Sequence, residues 1–139
     1  MDLAFLPAHR LAALIRQKKV GCLELLNLYL SRVEKYNAKL NAIIVLDAER
    51  ARKRARAADR ALAKGEVWGP LHGVPITIKE SFDVEGLPTT WGRPELQDNI
   101  ASRNALAVEG LLQAGAVLFG KTNVPRLLAD WQTFNPIHG

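Results

Sequence analysis

Two lysines stand in sequence contexts that could support chemistry, and the two contexts indicate different functions, phosphate binding and base catalysis. Lys121 lies in GAVLFGKT at 115–122, which has the G-x-x-x-x-G-K-T letters of a phosphate-binding loop. Lys79 ends the strand-like run ITIK, which follows a loop rich in glycine and proline. Burying an ammonium is costly, and a desolvated neutral lysine can act as a general base near pH 7. The alternative at Lys79 is a side chain that extends from the strand end to water.

The elements expected around Lys121 argue against nucleotide binding. A phosphate loop follows a strand and turns its backbone N–H groups inward as a compact nest. Here a helix at about 104–114 precedes Gly115, and AVLF at 116–119 has the side chains of a buried strand. We therefore interpret Gly115 as a helix end, Gly120 as a strand end and Lys121 as a surface or loop-anchoring residue.

Periodicity along the rest of the chain predicts helices alternating with short strands. The expected helices are 7–19, 23–36, 48–63, 104–114 and a short one near 126–131, and the expected strands are 41–47, 76–81 and 116–119. Asp47 is the expected cap of the third helix, and Ser102 or Asn104 that of the fourth. The fold class is α/β, with helices packed on part of a mixed β-sheet.

The bulk composition describes one small globular domain. The chain has 139 residues, of which 48% are hydrophobic and 24% are charged. We expect a single partial domain over 1–139, with a helical segment at about 1–65 and a strand–loop–helix–strand segment at about 66–139. Cys22 is the only cysteine, so no internal disulfide can form, and a buried thiol is a better interpretation than a nucleophile.

The net charge of +5 and the basic run at 49–60 raise the question of nucleic-acid binding. Six arginines and lysines fall in this run, and its alanines form a narrow apolar seam at helical spacing. Glu49, Asp59 and the absence of interleaved aromatic residues favour a solvated helix face over a nucleic-acid interface.

Other classes of site have little support in the sequence. His9, His72 and His138 lack metal-ligand spacing, so we expect no metal and no cofactor, and we interpret His72 as structural. The N-terminus lacks the positive region of a signal peptide, and no run approaches the roughly 20 apolar residues of a membrane span. A cytoplasmic protein without membrane contact is the expectation.

Two long segments resemble the N-terminal part of the amidase signature family. They are GPLHGVPITIKESFDVEGLPTT and AVEGLLQAGAVLFGKTNVP, and the similarity extends over nearly the whole chain. The resemblance implies hydrolysis of an amide carbon–nitrogen bond of a small molecule by two serines and a lysine. Lys79 stands at the lysine of the P-x-x-x-K pattern that begins at Pro75, so the resemblance makes Lys79 the catalytic base. The three tryptophans, Trp68, Trp91 and Trp131, are interpreted as packing residues, and Trp91, after the turn that follows GLPTT, is also a candidate for the border of a substrate site in a complete enzyme.

The family's Gly/Ser-rich segment, which carries both catalytic serines, is not found in these 139 residues. The serines present are Ser31, Ser81 and Ser102. Ser81 could share a strand face with Lys79, but no glycine-rich loop offers an oxyanion hole beside it. We therefore expect a truncated amidase that is inactive alone.

Two alternatives stay open at this stage. One is an inactive remnant or scaffold that pairs with a complementary chain or with itself through exposed strand edges. The other, less favoured, is a basic nucleic-acid-binding module, which salt-dependent binding would reveal.

Overall fold

The structure, a computed structural model, describes residues 2–139 and contains the expected alternation of helices and strands. The helices are α1 (Ala8–Arg16), α2 (Cys22–Leu40), α3 (Ala48–Ala63) and α4 (Leu106–Gln113). The strands are β1 (Ile43–Leu46), β2 (Pro75–Lys79) and β3 (Val117–Thr122). Short 3₁₀ turns occur at Leu3–Phe5, Pro94–Leu96 and Arg126–Leu128.

The three strands form one mixed sheet in the order β1-β3-β2, which confirms the predicted class. Strand β3 is antiparallel to β1 and parallel to β2. Parallel neighbours require a crossover, and the chain from Lys79 to Val117 supplies it through α4. The carboxyl ends of β2 and β3 therefore meet at one edge of the sheet, with Lys79 in register with Thr122.

The main core joins α1, α2 and α3 to the sheet. Its buried members include Leu11 and Ile15 of α1, Leu25 and Leu26 of α2, and Phe119 of β3. The alanine seam of α3 is buried as expected, at Ala51, Ala55, Ala58 and Ala61. A smaller apolar cluster involves α4 and consists of Ile78, Val84, Val108 and Leu118.

Several local expectations were wrong, including the short helix near 126–131, where the structure has only a 3₁₀ turn at Arg126–Leu128. Strand β3 continues to Thr122 and does not end before Gly120. Asp47 precedes α3, but its side chain makes no capping hydrogen bond and instead pairs with Arg50. The residue before α4 is Ala105, whereas the Asn104 amide group binds the Glu85 N–H and the Glu109 carboxylate.

The N-terminus of α2 is capped by a side chain from another helix, because Gly21 has none to offer. The Asp59 carboxylate, on α3, accepts hydrogen bonds from the N–H groups of Cys22 (2.7 Å) and Leu23 (3.1 Å). The negative charge also faces the positive end of the helix dipole. One carboxylate therefore caps α2 and joins α2 to α3.

We expect Asp59→Ala to lower the free energy of unfolding by about 1–3 kcal/mol, since it leaves two part-buried N–H groups without a partner. Urea unfolding of the 139-residue chain would measure the loss. Glu34→Ala, at an exposed position of α2, is the control and should stay within about 0.5 kcal/mol of the parent. Equal losses in the two variants would contradict the interhelical cap.

No helix within residues 2–139 is both long enough and apolar enough to cross a bilayer.

Candidate active-site edge

Lys79 is the last residue of β2 and lies at the edge where β2 and β3 both end. Its side chain is exposed, which agrees with the interpretation of a lysine that extends from the strand end to water and not with a buried amine. After the Glu80 N–H bonds to the Thr122 carbonyl of β3, the chain leaves the sheet in a turn closed by a hydrogen bond from the Phe82 N–H to the Lys79 carbonyl. Lys79 therefore projects from the sheet edge, where a further protein segment or a substrate can reach it.

The buried lysine is Lys121, one strand away. It is fully buried, and its Nζ donates to the Pro88 carbonyl and to the Thr89 hydroxyl (2.8 Å). The surface interpretation of Lys121 was wrong, and the loop-anchoring one is confirmed. Sequence reasoning missed this burial because it ended the strand at Gly120. In the structure β3 runs through Gly120, so Lys121 is a strand residue and does not lie in a turn.

Glu80 supplies a buried negative charge beside this lysine. Its carboxylate has no exposure and accepts hydrogen bonds from the N–H groups of Thr90 and Trp91. Burial lowers the pKa of Lys121 to about 8, against the opposing attraction of Glu80 and Asp83. The sheet edge thus has one exposed lysine and, behind it, a buried acid and a buried base.

The pKa of Lys121 predicts an unusual dependence of stability on pH. Between pH 8 and 10.5 the unfolded chain holds a proton on Lys121 that the folded chain has released. Stability should therefore rise with pH from pH 8, by at most about 1.4 kcal/mol per unit. Burial and the neighbouring Asp59 raise the pKa of the Cys22 thiol to about 12 from 9.0, so an opposite contribution begins near pH 9.

Urea unfolding between pH 7 and 10.5 would separate these two contributions. The parent should gain stability from pH 8 to 9 and then level off, because the two slopes cancel. Lys121→Met should lose the gain, whereas Cys22→Ala should extend it towards pH 10.5. A flat profile from pH 8 to 9 in the parent would contradict a buried, easily deprotonated Lys121.

The serines of the chain do not complete a catalytic site. Ser81 follows the end of β2 in a turn and makes no hydrogen bond to Lys79 within residues 2–139. Ser31 and Ser102 are exposed, on α2 and in the loop before α4. The strand alternation that made Ser81 a candidate ends at Lys79.

His72 has a structural role, as the sequence predicted. It is fully buried, its Nδ1 accepts from the Trp68 N–H (3.0 Å), and its Nε2 lies 3.1 Å from the Ala58 carbonyl. These partners fix the neutral tautomer with the proton on Nε2. Nδ1 therefore closes the loop after α3 on itself, and Nε2 joins that loop to α3.

The basic helix is more involved in packing than the sequence indicated. Arg54 turns inward, donates to the Ala116 and Leu112 carbonyls and lies over the Trp68 ring. Burial lowers its pKa. Arg50 and Arg52 pair with acidic residues of their own helix or of the turn before it. The contacts of Arg54 show that part of the basic face packs against the fold, whereas Arg50 and Arg52 agree with the predicted solvated face.

The run GAVLFGKT is not a phosphate loop in the structure. Gly115 follows α4, and its φ of 95° is the left-handed conformation typical of a helix stop. The residues that follow are extended and pair with both β1 and β2. Their N–H groups belong to the sheet, so they cannot form a phosphate nest.

A lysine at the end of a strand that follows a Gly/Pro loop, in a mixed sheet covered by helices, is the arrangement that the resemblance to amidases implied. The Amidase family matches residues 24–139. The chain belongs to the Amidase family.

Individual relatives agree with this assignment. The chain is 44% identical over 128 residues to an indoleacetamide hydrolase of Bradyrhizobium diazoefficiens and 38% identical over 138 residues to an acylamidase of Rhodococcus erythropolis. These matches cover 92% and 99% of this chain, but only 24% and 29% of the two relatives. The chain thus spans about a quarter of the length of the curated relatives it matches.

Solved structures show the same fold over nearly all of the chain. A fatty acid amide hydrolase superposes on 96% of it with a TM-score of 0.91 and 26% identity, using 24% of that enzyme. A second structure, titled as a vestigial protein complex that reveals the origins of an s-triazine catabolic enzyme, gives a TM-score of 0.90 at 30% identity and likewise covers 96% of this chain and 30% of that one.

Proposed function

We propose that residues 1–139 form the lysine-bearing part of an amidase that hydrolyses a carbon–nitrogen bond in a small-molecule amide. The observation that carries the proposal is the position of Lys79. It ends a parallel strand, is open to an incoming group, and lies within the segment that the Amidase family matches. The names of the relatives, which include amide hydrolases and an acylamidase, support the class of bond.

In the proposed mechanism the neutral amine of Lys79 accepts a proton from a bridging serine, which takes the proton of a second serine. The second serine's oxygen attacks the amide carbonyl carbon, and the resulting tetrahedral intermediate expels the amine, which leaves with a proton returned along the same path. Water then attacks the acyl-enzyme, releasing the carboxylic acid and restoring the serine. Both serines belong to a Gly/Ser-rich segment that residues 1–139 do not contain. In this proposal the segment is supplied by the same polypeptide or by a second one.

The proposal requires that Lys79 be enclosed when the serine-bearing segment is present. An ammonium already carries its proton and cannot accept another, so the reaction needs the neutral amine. A covering segment would remove water from the amine and favour its neutral form. The catalytic base is therefore completed by assembly, and we propose that residues 1–139 alone are inactive.

We also propose a cytoplasmic location.

The test compares the purified 139-residue chain with a fusion in which residues 1–139 replace the matched segment of the Rhodococcus erythropolis acylamidase. Both are assayed for ammonia or amine release from simple amides. We expect no turnover from the chain and measurable turnover from the fusion. Turnover by the chain alone that is lost in Lys79→Ala would contradict the requirement for added serines, whereas an inactive but folded fusion would argue against the amidase assignment.

A second candidate is a scaffold that pairs with a complementary chain. Within residues 2–139, β1 and β2 each pair only with β3, so each leaves one edge unpaired. Large exposed apolar side chains, including Trp131, Phe134 and Leu106, add surface that association would bury. Size-exclusion chromatography with light scattering would test this candidate. A monodisperse monomer that captures no serine-bearing amidase fragment would count against it.

A further inference from the structure

The buried pair Glu80 and Lys121 has no part in the proton transfers described above. Both side chains are inaccessible to solvent, and Glu80 directly follows Lys79 in the chain. Burying a carboxylate and an ammonium is unfavourable unless both are compensated by hydrogen bonds or by opposite charge. The partners of these two groups therefore indicate what the burial accomplishes.

All of their side-chain partners lie in one short segment, Pro88–Trp91. The Glu80 carboxylate binds the N–H groups of Thr90 and Trp91, the latter at 3.0 Å. The Lys121 ammonium binds the Pro88 carbonyl and the Thr89 hydroxyl. Four consecutive loop residues are thus held by two side chains that come from the ends of β2 and β3.

The held segment has a backbone conformation that needs support. Trp91 has a φ of 56°, in the left-handed region, which costs a non-glycine residue about 1–3 kcal/mol. Gly92 follows at a φ of 65°, and its N–H bonds to the Thr90 hydroxyl. The N–H groups of Thr90 and Trp91 converge on one carboxylate, so the acid compensates for the strain at the place where it arises.

We propose that Glu80 and Lys121 are positioning residues that hold Pro88–Trp91 as a fixed wall of the amidase site, beside the end of β2 that carries Lys79. The assignment of this segment as a wall of the active site rests on the proposed function. The hydrogen bonds from Glu80 and Lys121 to Pro88–Trp91, which we call the clamp, are a property of the 139-residue chain. The Trp91 side chain, 39% exposed, is the group that this wall presents to solvent. Asp83 is the other charged group whose field reaches Lys121.

Amide hydrogen exchange of the 139-residue chain, followed by NMR, tests the clamp without any assay of activity. Glu80→Gln keeps the size of the side chain but replaces one acceptor oxygen by a donor, which cannot bind an N–H group. We expect exchange at Thr90 and Trp91 to accelerate at least tenfold, with exchange at Phe119 in β3 unchanged. Glu85→Gln, at an exposed position in the same loop, should change neither.

Lys121→Met provides the second variant, since methionine fills similar space and can bind neither Pro88 nor Thr89. It should also accelerate exchange at Thr90 and Trp91 more than at Phe119. Equal acceleration at the loop and at Phe119 would show only global destabilisation and would overturn the clamp, as would unchanged exchange at the loop.

The acylamidase fusion then tests the wall. Glu80→Gln should lower kcat/KM for amides of bulky acyl groups at least tenfold more than for acetamide. The substitution would displace Pro88–Trp91, and only a bulky acyl group is large enough to contact that segment. An equal loss for all amides would overturn the wall. Absence of hydrolysis in the unmutated fusion would overturn the amidase assignment and the wall with it, while the exchange data would still decide whether the clamp exists.

Discussion

Lys79→Ala should abolish amide hydrolysis in the acylamidase fusion, with a loss of roughly 10³- to 10⁶-fold in kcat, as expected when one member of a cooperating catalytic set is removed. Within residues 2–139 the side chain is exposed and makes no hydrogen bond, so the same substitution should leave the stability of the 139-residue chain unchanged. Steady-state kinetics of the fusion and urea unfolding of the 139-residue chain would show the two results.

Lys79→Arg distinguishes a base from a mere positive charge. A guanidinium keeps its proton at any pH relevant to the assay, so it cannot accept one from a serine. We expect this variant to be as inactive as Lys79→Ala. Lys64→Ala, at an exposed lysine just after α3, is the matched control and should keep full activity. Substantial activity in Lys79→Arg would mean that Lys79 acts electrostatically and would remove the proposed general base.

Gly73→Ala should be the most destabilising of the single substitutions considered for the folded chain, by about 2–6 kcal/mol. Gly73 has a φ of 73°, and a Cβ at this position would overlap the Cys22 Sγ and lie 3.0 Å from the Cys22 Cβ. Backbone strain and overpacking each contribute about 1–3 kcal/mol. The overpacking arises because Gly73 lies where the loop before β2 packs against the start of α2. Urea unfolding would measure the total loss of stability.

Two further variants separate the causes. Gly65→Ala has a similar φ of 84° but nothing within 4 Å of the added Cβ, so it should cost only about 1 kcal/mol. Cys22→Ala removes the overlapping sulfur, and Gly73→Ala should cost less in that background than in the parent. If Gly65→Ala and Gly73→Ala were equally harmful, the close approach of the loop to Cys22 would have no energetic weight.

Much of the fold was predictable from the sequence because its elements have local causes. The third helix was predicted at its observed bounds, since the alanine seam of 48–63 repeats at helical spacing. The strand after the Gly/Pro loop was predicted at 76–81 and is observed at Pro75–Lys79, because the glycines and prolines end regular structure just before it. The helix caps were predicted less well. An Asp, Ser or Asn next to the helix was the expected capping residue. The side chain that caps α2 is instead that of Asp59, 37 residues from Cys22 in the chain.

The sequence by itself determined the family, through long ordered motifs, and it placed Lys79 on the strand that follows the Gly/Pro loop. Only the tertiary structure decided which lysine is buried. Lys121 resembled a turn residue because a glycine precedes it, yet pairing with both neighbouring strands carries β3 past Gly120 and places the ammonium against the Pro88–Trp91 loop. Burial depends on what packs over a side chain, and the packing partners here lie more than 30 residues away in the chain. For the same reason, Lys79 is exposed in these residues and depends on a further segment for enclosure.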